Sequence, residues 1–130
     1  MNETGDALRD ELIDLTRRLL KSIGEGDWKT YSELCDANIT AFEPESAGHL
    51  VEGMDFHHFY FSLPASSGPR NTTLASPHVW MLGRDAGVVA YVRLTQRLDE
   101  SGKPVTVQCQ ETRVWHRRDG RWKHVHFHRS

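Results

Sequence analysis

The sequence predicts an α+β fold in which N-terminal helices pack into the concave face of a strongly curved antiparallel sheet. Two observations carry this prediction. Apolar residues recur at helical spacing early in the chain, and strand-like segments separated by short turns fill the second half. Short turns favour antiparallel pairing, and helices followed by such a sheet define an α+β architecture. A long sheet twists and bends, so we expect a cone with an internal pocket.

The first helix is defined by an apolar stripe and a glycine stop. Gly24 and Gly26 are expected to end it, because glycine adopts the left-handed cap conformation without a steric penalty. Asp27 is then expected to cap a short second helix at residues 28–34. The stripe, at the spacing of one helical face, consists of Leu8, Leu12, Leu15, Leu19 and Ile23.

The middle of the chain predicts two short strands, an aromatic helix and a loop. Residues 39–42 and 50–53 have the composition of strands. Residues 55–61 (DFHHFYF) are interpreted as a buried short helix capped by Asp55. Residues 62–70, which are rich in proline, serine and glycine, predict a mobile loop.

Four long strands are predicted for the second half of the chain. Asp119-Gly120 is a strong hairpin signal between the last two, because both central residues of a type I′ turn have positive φ. Glycine-containing turns separate the others. The predicted strands are residues 70–82, 88–98, 105–117 and 121–129.

Length and charge exclude several classes of function. The 130 residues are expected to form one domain, residues 1–130, which is large enough to fold without a metal or a disulfide. The net charge of -2 argues against binding to nucleic acid or an anionic membrane. No apolar run approaches the roughly 20 residues of a membrane span. Cys35 and Cys109 lie far apart, which favours buried free thiols in a reducing, cytoplasmic environment.

Alternation groups one arginine with core-type residues on each of three strands, and the three arginines converge if these sets form the same, concave face of the sheet. Side chains at i and i+2 share a face, so Arg93, Arg113 and Arg129 each lie among core-type neighbours. Glu111 can pair with one guanidinium, and a buried charge without a partner is costly. The residues expected on this inner face are Val89, Tyr91, Arg93, Cys109, Glu111, Arg113, Trp115, Val125, Phe127 and Arg129.

The arginine face leaves two interpretations open. A planar fork of donors suits a carboxylate, so the three arginines could form a pocket for a small carboxylate or for a protein's acidic segment. Alternatively, they lie at strand ends in an ion-pair network with acidic residues such as Glu43 and Glu45, or they face solvent.

The opposite face has the composition of a subunit interface. It is apolar along one strand and rich in amides and imidazoles along the next two. A monomer would expose this face to water, which favours its burial between subunits. Three alternating histidines could ligate zinc, but no cysteine or carboxylate is patterned with them, and an interface role is favoured. The residues expected there are Val88, Ala90, Val92, Leu94, Thr106, Gln108, Gln110, Thr112, Val114, Trp122, His124, His126 and His128.

One segment allows a catalytic alternative. His57 and His58 follow Asp55 closely, so one of them could act as a general base oriented by a carboxylate. No serine or cysteine lies in a recognisable nucleophile elbow, and the chain has no glycine-rich phosphate loop. An isomerase or dehydratase in which the arginines stabilise a carboxylate or enolate is one alternative. A stand-alone carboxylate sensor is another.

Several motifs resemble the association, or hub, domain of calcium/calmodulin-dependent protein kinase II. The similarity runs from the first helix to Ser130, and the motif at residues 111–120 is quite specific. The motifs are residues 40–45 (TAFEPE), 50–53 (LVEG), 55–57 (DFH), 59–61 (FYF), 111–120 (ETRVWHRRDG) and 125–130 (VHFHRS).

The resemblance implies the cone-shaped α+β fold shared with nuclear transport factor 2 and ketosteroid-isomerase-like proteins. It implies dimers that close into two stacked rings, alone or with a kinase subunit that has a similar hub. It also implies a pocket in which small carboxylates, such as hydroxybutyrate analogues, contact a histidine and three arginines. Glu111 and Tyr91 are expected to support that pocket. The matching ligand-binding residues are His57, Arg93, Arg113 and Arg129.

The sequence as a whole predicts a non-enzymatic oligomerisation domain without metal or cofactor. It contains no kinase domain and no calmodulin-binding stretch. A curved sheet that repeats a self-complementary contact closes into a ring when the rotation per subunit divides a full turn. Glu111 lies between basic residues, so its pKa is expected to be low and it would be a poor general base.

Overall fold

The computed structural model describes residues 4–64 and 68–130, which form three α-helices, one 3₁₀ turn and six strands. The helices are α1 (Gly5–Glu25), α2 (Trp28–Leu34) and α3 (Asp55–Phe61), and the 3₁₀ turn is Pro44–Ser46. The strands are β1 (Cys35–Phe42), β2 (Val51–Glu52), β3 (Arg70–Met81), β4 (Ala86–Leu98), β5 (Pro104–Arg118) and β6 (Arg121–Arg129).

The caps predicted at Gly26 and Asp27 are confirmed, whereas Gly24, also expected to end the first helix, lies within α1. Thr4 Oγ1 accepts a hydrogen bond of 3.0 Å from the backbone N–H of Ala7 at the start of α1. Gly26 ends α1 in the left-handed conformation, with φ of 65°. Asp27 then accepts a hydrogen bond of 3.1 Å from the backbone N–H of Thr30 and begins α2. Local capping therefore sets these boundaries.

Helix α1 packs across the concave face of the sheet at short distance. Leu12 and Thr16 on this helix are fully buried. Gly87 on β4 allows the approach, because a Cβ at that position would overlap with Leu12 Cδ1. On β5, the indole N–H of the buried Trp115 donates to Thr16 Oγ1 at 3.1 Å. The core thus lies between α1 and the central strands.

The strands form one curled, open sheet in the order β2-β1-β6-β5-β4-β3. Strands β3 to β6 pair antiparallel, as predicted, and β1 pairs antiparallel with β2. Strand β1 lies parallel to β6, which the sequence analysis did not expect. The long connection between these two strands allows the chain to return to the same end of the sheet. The α+β cone is confirmed, with a mixed rather than purely antiparallel sheet.

Strand β6 contains a bulge that shifts its alternation. Val114 pairs with His126, but the next residue of β5, Trp115, pairs with His124. Val125 is therefore an extra residue on β6. A bulge of this kind turns the side chains before it to the opposite face from the one that strict alternation gives.

The prediction that Trp122 and His124 lie on the outer face is therefore wrong. Their side chains are in the core, with exposed fractions of 8% and 0%. Arg117 covers the indole of Trp122, with its guanidinium carbon 5.0 Å from the ring centroid. Val125, which was predicted on the inner face, is the extra residue at the bulge and is half-buried.

Helix α3 is more exposed than predicted. Of its residues only His57 is buried, whereas Phe59 and Tyr60 are 57% and 41% exposed. Asp55 is the first helical residue rather than the cap, and Met54 holds the cap position without a side-chain hydrogen bond. A helix of two turns presents one face to the core, so Phe59 and Tyr60 remain largely outside, whereas Phe61 packs against the core.

Of the predicted loop at residues 62–70, the described residues 62–64, 68 and 69 lie between α3 and β3, and Arg70 begins β3. Residues 65–67 lie outside the described residues, and the mobility of the loop stays a prediction. Cys35 is buried as expected, but Cys109 is only half-buried, near the 45% exposed Val107. No helix in residues 4–64 and 68–130 is long and apolar enough to cross a membrane.

Candidate functional site: an arginine pocket and an outer sheet face

Three arginines from neighbouring strands converge on the carboxylate of Glu111. Arg93 Nη1 lies 3.2 Å from Glu111 Oε2, and Arg113 Nη2 lies 3.1 Å from Oε1. Arg129 Nε lies 4.0 Å from Oε2. Burial alone would raise the pKa of Glu111, but Arg113 and Arg93 outweigh it and hold that pKa below its ordinary value. The predicted convergence and the low pKa are both confirmed.

Arg113 is bonded within the chain through all three guanidinium nitrogens. Besides Glu111, it donates from Nε to Tyr91 Oη at 2.8 Å and from Nη1 to His124 Nε2 at 3.3 Å. Tyr91 in turn donates its hydroxyl hydrogen to Glu111. The ring of Phe127 stacks against the guanidinium, with its centroid 4.5 Å from Arg113 Cζ. Arg113 is 1% exposed, and Tyr91 and Glu111, the two residues expected to support the pocket, are both hydrogen-bonded to it.

His124 and Cys35 extend this network, and the sequence analysis missed them. Arginine can only donate, so His124 Nε2 accepts from Arg113 and the ring proton resides on Nδ1, 3.5 Å from Cys35 Sγ. Burial holds the pKa of His124 well below its ordinary value and raises that of Cys35 to about 12. Both groups are therefore neutral near pH 7. The alternation of β6 concealed them, because a bulge leaves no clear mark in the sequence.

The predicted ligand-binding residues line one cavity, which we call the arginine pocket. Its volume is about 190 Å³, below the roughly 300–1,000 Å³ of ordinary ligand pockets, so it suits a small molecule. The structure adds lining residues from α1, α2 and α3 for which the sequence offered no signal. The lining is Ile23, Tyr31, Glu43, Glu45, His57, Tyr60, Phe61, Arg93, Arg113, Phe127 and Arg129.

Two buried nitrogens at this pocket are without a partner among the described residues. They are His57 Nε2 and Arg93 Nε. Burial, with a further contribution from Arg113, lowers the pKa of His57 to about 4, so its imidazole is neutral near pH 7. A buried polar atom without a partner costs free energy. Both nitrogens could therefore bond a ligand or water in the pocket.

Two glutamates, Glu43 and Glu45, line the pocket close to Arg129. We call these three residues the pocket mouth. Glu45 forms an ion pair with Arg129. Burial raises the pKa of Glu45, but the hydrogen bond from Arg129 outweighs it and the pKa is below its ordinary value. For Glu43, burial and the neighbouring Glu45 raise the pKa. The pairing of Glu45 with an arginine matches the sequence-based alternative of an internal ion-pair network.

On the other side of the sheet, the side chains of β4, β5 and β6 form a half-exposed surface, which we call the outer face. Val88, Val114 and His126 form one row across three strands. His126 Nδ1 is within 2.7 Å of Thr40 Oγ1 on β1. The half-buried members are Val88, Ala90, Val92, Leu94, Thr112, Val114 and His126.

The metal and general-base hypotheses gain no support from the geometry. No group of three histidine, cysteine or acidic residues in the described part of the chain is close enough to hold a metal ion. No hydrogen bond joins Asp55 to either His57 or His58 within residues 4–64 and 68–130, and Asp55 is exposed. A general base oriented by that carboxylate is therefore not formed.

Comparison with known proteins identifies the family. The family model of the calcium/calmodulin dependent protein kinase II association domain matches residues 8–130. The calcium/calmodulin-dependent protein kinase type II subunit delta of Oryctolagus cuniculus is 53% identical over 131 residues, which are 99% of this chain and 25% of that protein. The chain thus spans about a quarter of the length of this curated relative.

Solved structures agree with this assignment. The association domain of C. elegans CaMKII superposes with a TM-score of 0.93 at 45% identity, covering 99% of each chain. A nuclear transport factor 2-like superfamily protein from Salmonella enterica has a TM-score of 0.77 at 20% identity over 98% of this chain and 92% of that one, which shows a shared fold. The matched region is the non-catalytic association domain. The chain therefore belongs to the calcium/calmodulin-dependent protein kinase II association domain family.

Proposed function

We propose that this domain is an oligomerisation hub that assembles into two stacked rings of dimers and holds a small carboxylate in its arginine pocket. The observation that carries the proposal is the outer face. Valine, leucine and alanine side chains on β4 are half-exposed in the single chain, beside Thr112, Val114 and His126 on the next strands. An apolar surface of this kind on a soluble protein is typical of a subunit interface.

Whether such a contact closes into a ring depends on its geometry. A head-to-tail contact repeated between identical subunits forms a closed ring or an open filament, depending on the rotation per step. The family assignment favours the closed form, because the domain belongs to association domains. Negative-stain electron microscopy of the purified chain is expected to reveal double-layered rings. Particles no larger than a dimer, or open filaments, would contradict the ring.

The partners that we propose follow from the same surface. A second copy of this chain is the first partner, and a kinase subunit that carries a similar association domain would present a matching outer face. Nucleic acid and membranes are not proposed as partners, because the net charge is only -2. The high pKa of the buried Cys35 thiol is compatible with the cytoplasmic location that we propose.

The arginine pocket is proposed to bind a carboxylate through Arg93, Arg129 and His57, with Arg113 fixed behind them. Arg93 and Arg129 have part-exposed side chains, 17% and 20%, whereas that of Arg113 is 2% exposed. Guanidinium groups bind carboxylates through paired hydrogen bonds. The two nitrogens without a partner, His57 Nε2 and Arg93 Nε, supply further places for a ligand to bond.

A thermal-shift titration with sodium butyrate tests the pocket. The parent chain is expected to melt at a higher temperature as butyrate increases, because a ligand that binds only the folded state stabilises it. Arg129→Ala is expected to lose this stabilisation. Sodium chloride at equal ionic strength and 1-butanol serve as controls for salt and for the alkyl chain. A parent chain that responds to butyrate no more than to these controls would refute the carboxylate site.

A further inference from the structure

We infer that Glu45 is an internal competitor for the arginine pocket, and that a carboxylate ligand binds by displacing the Glu45 carboxylate from Arg129. This inference rests on the proposed carboxylate-binding function. It assigns to Glu45 the role of a residue that sets the affinity of the pocket, in addition to the residues that contact the ligand.

The first argument is the charge balance of the pocket. Three guanidinium groups, of Arg93, Arg113 and Arg129, face the carboxyl groups of Glu111 and of the two mouth glutamates. The fixed charges therefore already cancel when all three carboxyl groups are ionised. A ligand carboxylate added to this set brings an excess negative charge into a half-enclosed space, where like charges repel strongly. One of the resident carboxylates has to move away or take up a proton.

Glu45 is the resident carboxylate that can move. The Glu111 side chain is fully buried and is held by Tyr91, Arg93 and Arg113. The Glu45 side chain is 36% exposed, and Arg129 is its ion-pair partner. Rotation of this side chain toward solvent lets water replace one ion pair at a partly buried site, which costs less than breaking the fully buried contacts of Glu111.

The backbone that carries Glu45 can stay in place during the exchange. Ser46 Oγ donates to the backbone carbonyl of Glu43 at 2.7 Å and accepts from the backbone N–H of Glu43 at 3.2 Å. These bonds close the Pro44–Ser46 turn without using the Glu45 side chain. A change of side-chain rotamer is therefore enough to open the mouth, and the turn itself need not unfold.

The consequence is a lower affinity for small carboxylates than three arginines would otherwise give. The contact between the ligand and Arg129 replaces the ion pair between Glu45 and Arg129. Only the difference between the free energies of these two contacts contributes to binding. The pKa of Glu45 is below its ordinary value, so this competitor is ionised at neutral pH. Replacing Glu45 by glutamine preserves the size of the side chain and removes the competing charge.

Sodium butyrate titrations of the assembled protein, followed by thermal shift, test the competitor directly. Glu45→Gln is expected to reach half-saturation at about three- to tenfold lower butyrate concentration than the parent, the range of one ion pair at a partly buried site. Glu52→Gln is the matched control. It removes one negative charge from the exposed Glu52 on β2, which is not a lining residue of the pocket, and its titration is expected to coincide with that of the parent.

The outcomes separate this inference from the proposed function. If the parent and Glu45→Gln bind butyrate equally, or Glu45→Gln binds more weakly, Glu45 is not a competitor although the pocket still binds carboxylates. If Glu52→Gln gains as much as Glu45→Gln, the effect is one of net charge and the inference is wrong. If neither the parent nor Glu45→Gln responds to butyrate, the carboxylate function fails and the inference fails with it.

Discussion

On the inner face of the sheet, Arg113 and Glu111 are almost fully buried and their polar atoms are bonded within the chain, whereas on the outer face Val88, Val92 and His126 remain half-exposed. The two faces belong to the same strands and differ by one residue in the alternation. The network of Arg113 and Glu111 on the inner face is therefore complete in a single chain. The outer face has apolar side chains that a single chain does not cover.

This difference separates the consequences of substitutions on the two faces. A change at the base of the arginine pocket acts on the stability of each chain, because it leaves a buried charge without its partner. A change on the outer face leaves each chain folded and acts on the contact between chains. The predictions below use this separation, and they run from the largest expected effect to the smallest.

Arg113→Ala is expected to lower the free energy of unfolding by about 3–5 kcal/mol, as for other buried ion pairs that lose one partner. The reason is that Glu111, Tyr91 and His124 all lose a bond inside the core. Urea denaturation followed by circular dichroism measures the change. Arg121→Ala, at an exposed residue of the hairpin, is the control and is expected to change stability by less than about 0.5 kcal/mol. Equal stability of the two variants would contradict a structural role for Arg113.

Val92→Glu is expected to break the assembly while each chain stays folded. A glutamate on the outer face of β4 would bury a charge without a partner at the proposed interface, which costs about 3 kcal/mol or more per contact. Light scattering on a sizing column should give a smaller particle, and the far-ultraviolet circular dichroism spectrum should be unchanged. Ala7→Glu, which adds the same charge at an exposed position of α1, should keep the parent mass. An assembly of parent size in Val92→Glu would place the interface elsewhere.

His57→Gln is expected to make the fold less sensitive to mild acid. Burial lowers the pKa of His57 from 6.5 to about 4 in the folded chain, so below pH 6.5 the unfolded chain takes up a proton that the folded chain does not. Above pH 6.5 the free energy of unfolding does not depend on the protonation of His57. As the pH falls from 6.5 toward 4, the free energy of unfolding decreases by at most about 1.4 kcal/mol per pH unit because of this histidine.

Thermal unfolding of His57→Gln and the parent at several pH values in this window measures the effect. His124 is also buried with a lowered pKa, so part of the acid sensitivity is expected to remain in the variant. The exposed His49 gives a matched control, His49→Gln, for replacing a histidine away from the pocket. An unchanged pH profile in His57→Gln would show that His57 is protonated as easily in the folded chain as in the unfolded one.

The sequence predicted those parts of the fold that local rules determine. The leucine stripe and the caps at Gly26 and Asp27 located α1 and α2 correctly. Asp119 and Gly120 both have positive φ, 53° and 75°, as the hairpin signal required. Alternation assigned β4 and β5 to the correct faces, because these two strands pair in continuous register.

The remainder depends on contacts that are distant in sequence. The bulge at Val125 reverses the faces of the first half of β6, and no local signal marked it. The exposure of Phe59 on α3 depends on where the helix meets the sheet, which helical periodicity does not specify. For the pocket, alternation and the family resemblance together supplied His57 and the arginines. The pairing of Glu45 with Arg129 was only one of several alternatives, since it joins residues that are far apart in the chain.

The mass of the intact assembly tests the central claim that this domain is an oligomerisation hub. Native mass spectrometry, with light scattering at micromolar concentration as a second measurement, gives the number of 14.9 kDa subunits in the particle. We predict a discrete particle with an even number of subunits, larger than a tetramer, as two stacked rings require. A monomer of 14.9 kDa at micromolar concentration would contradict it.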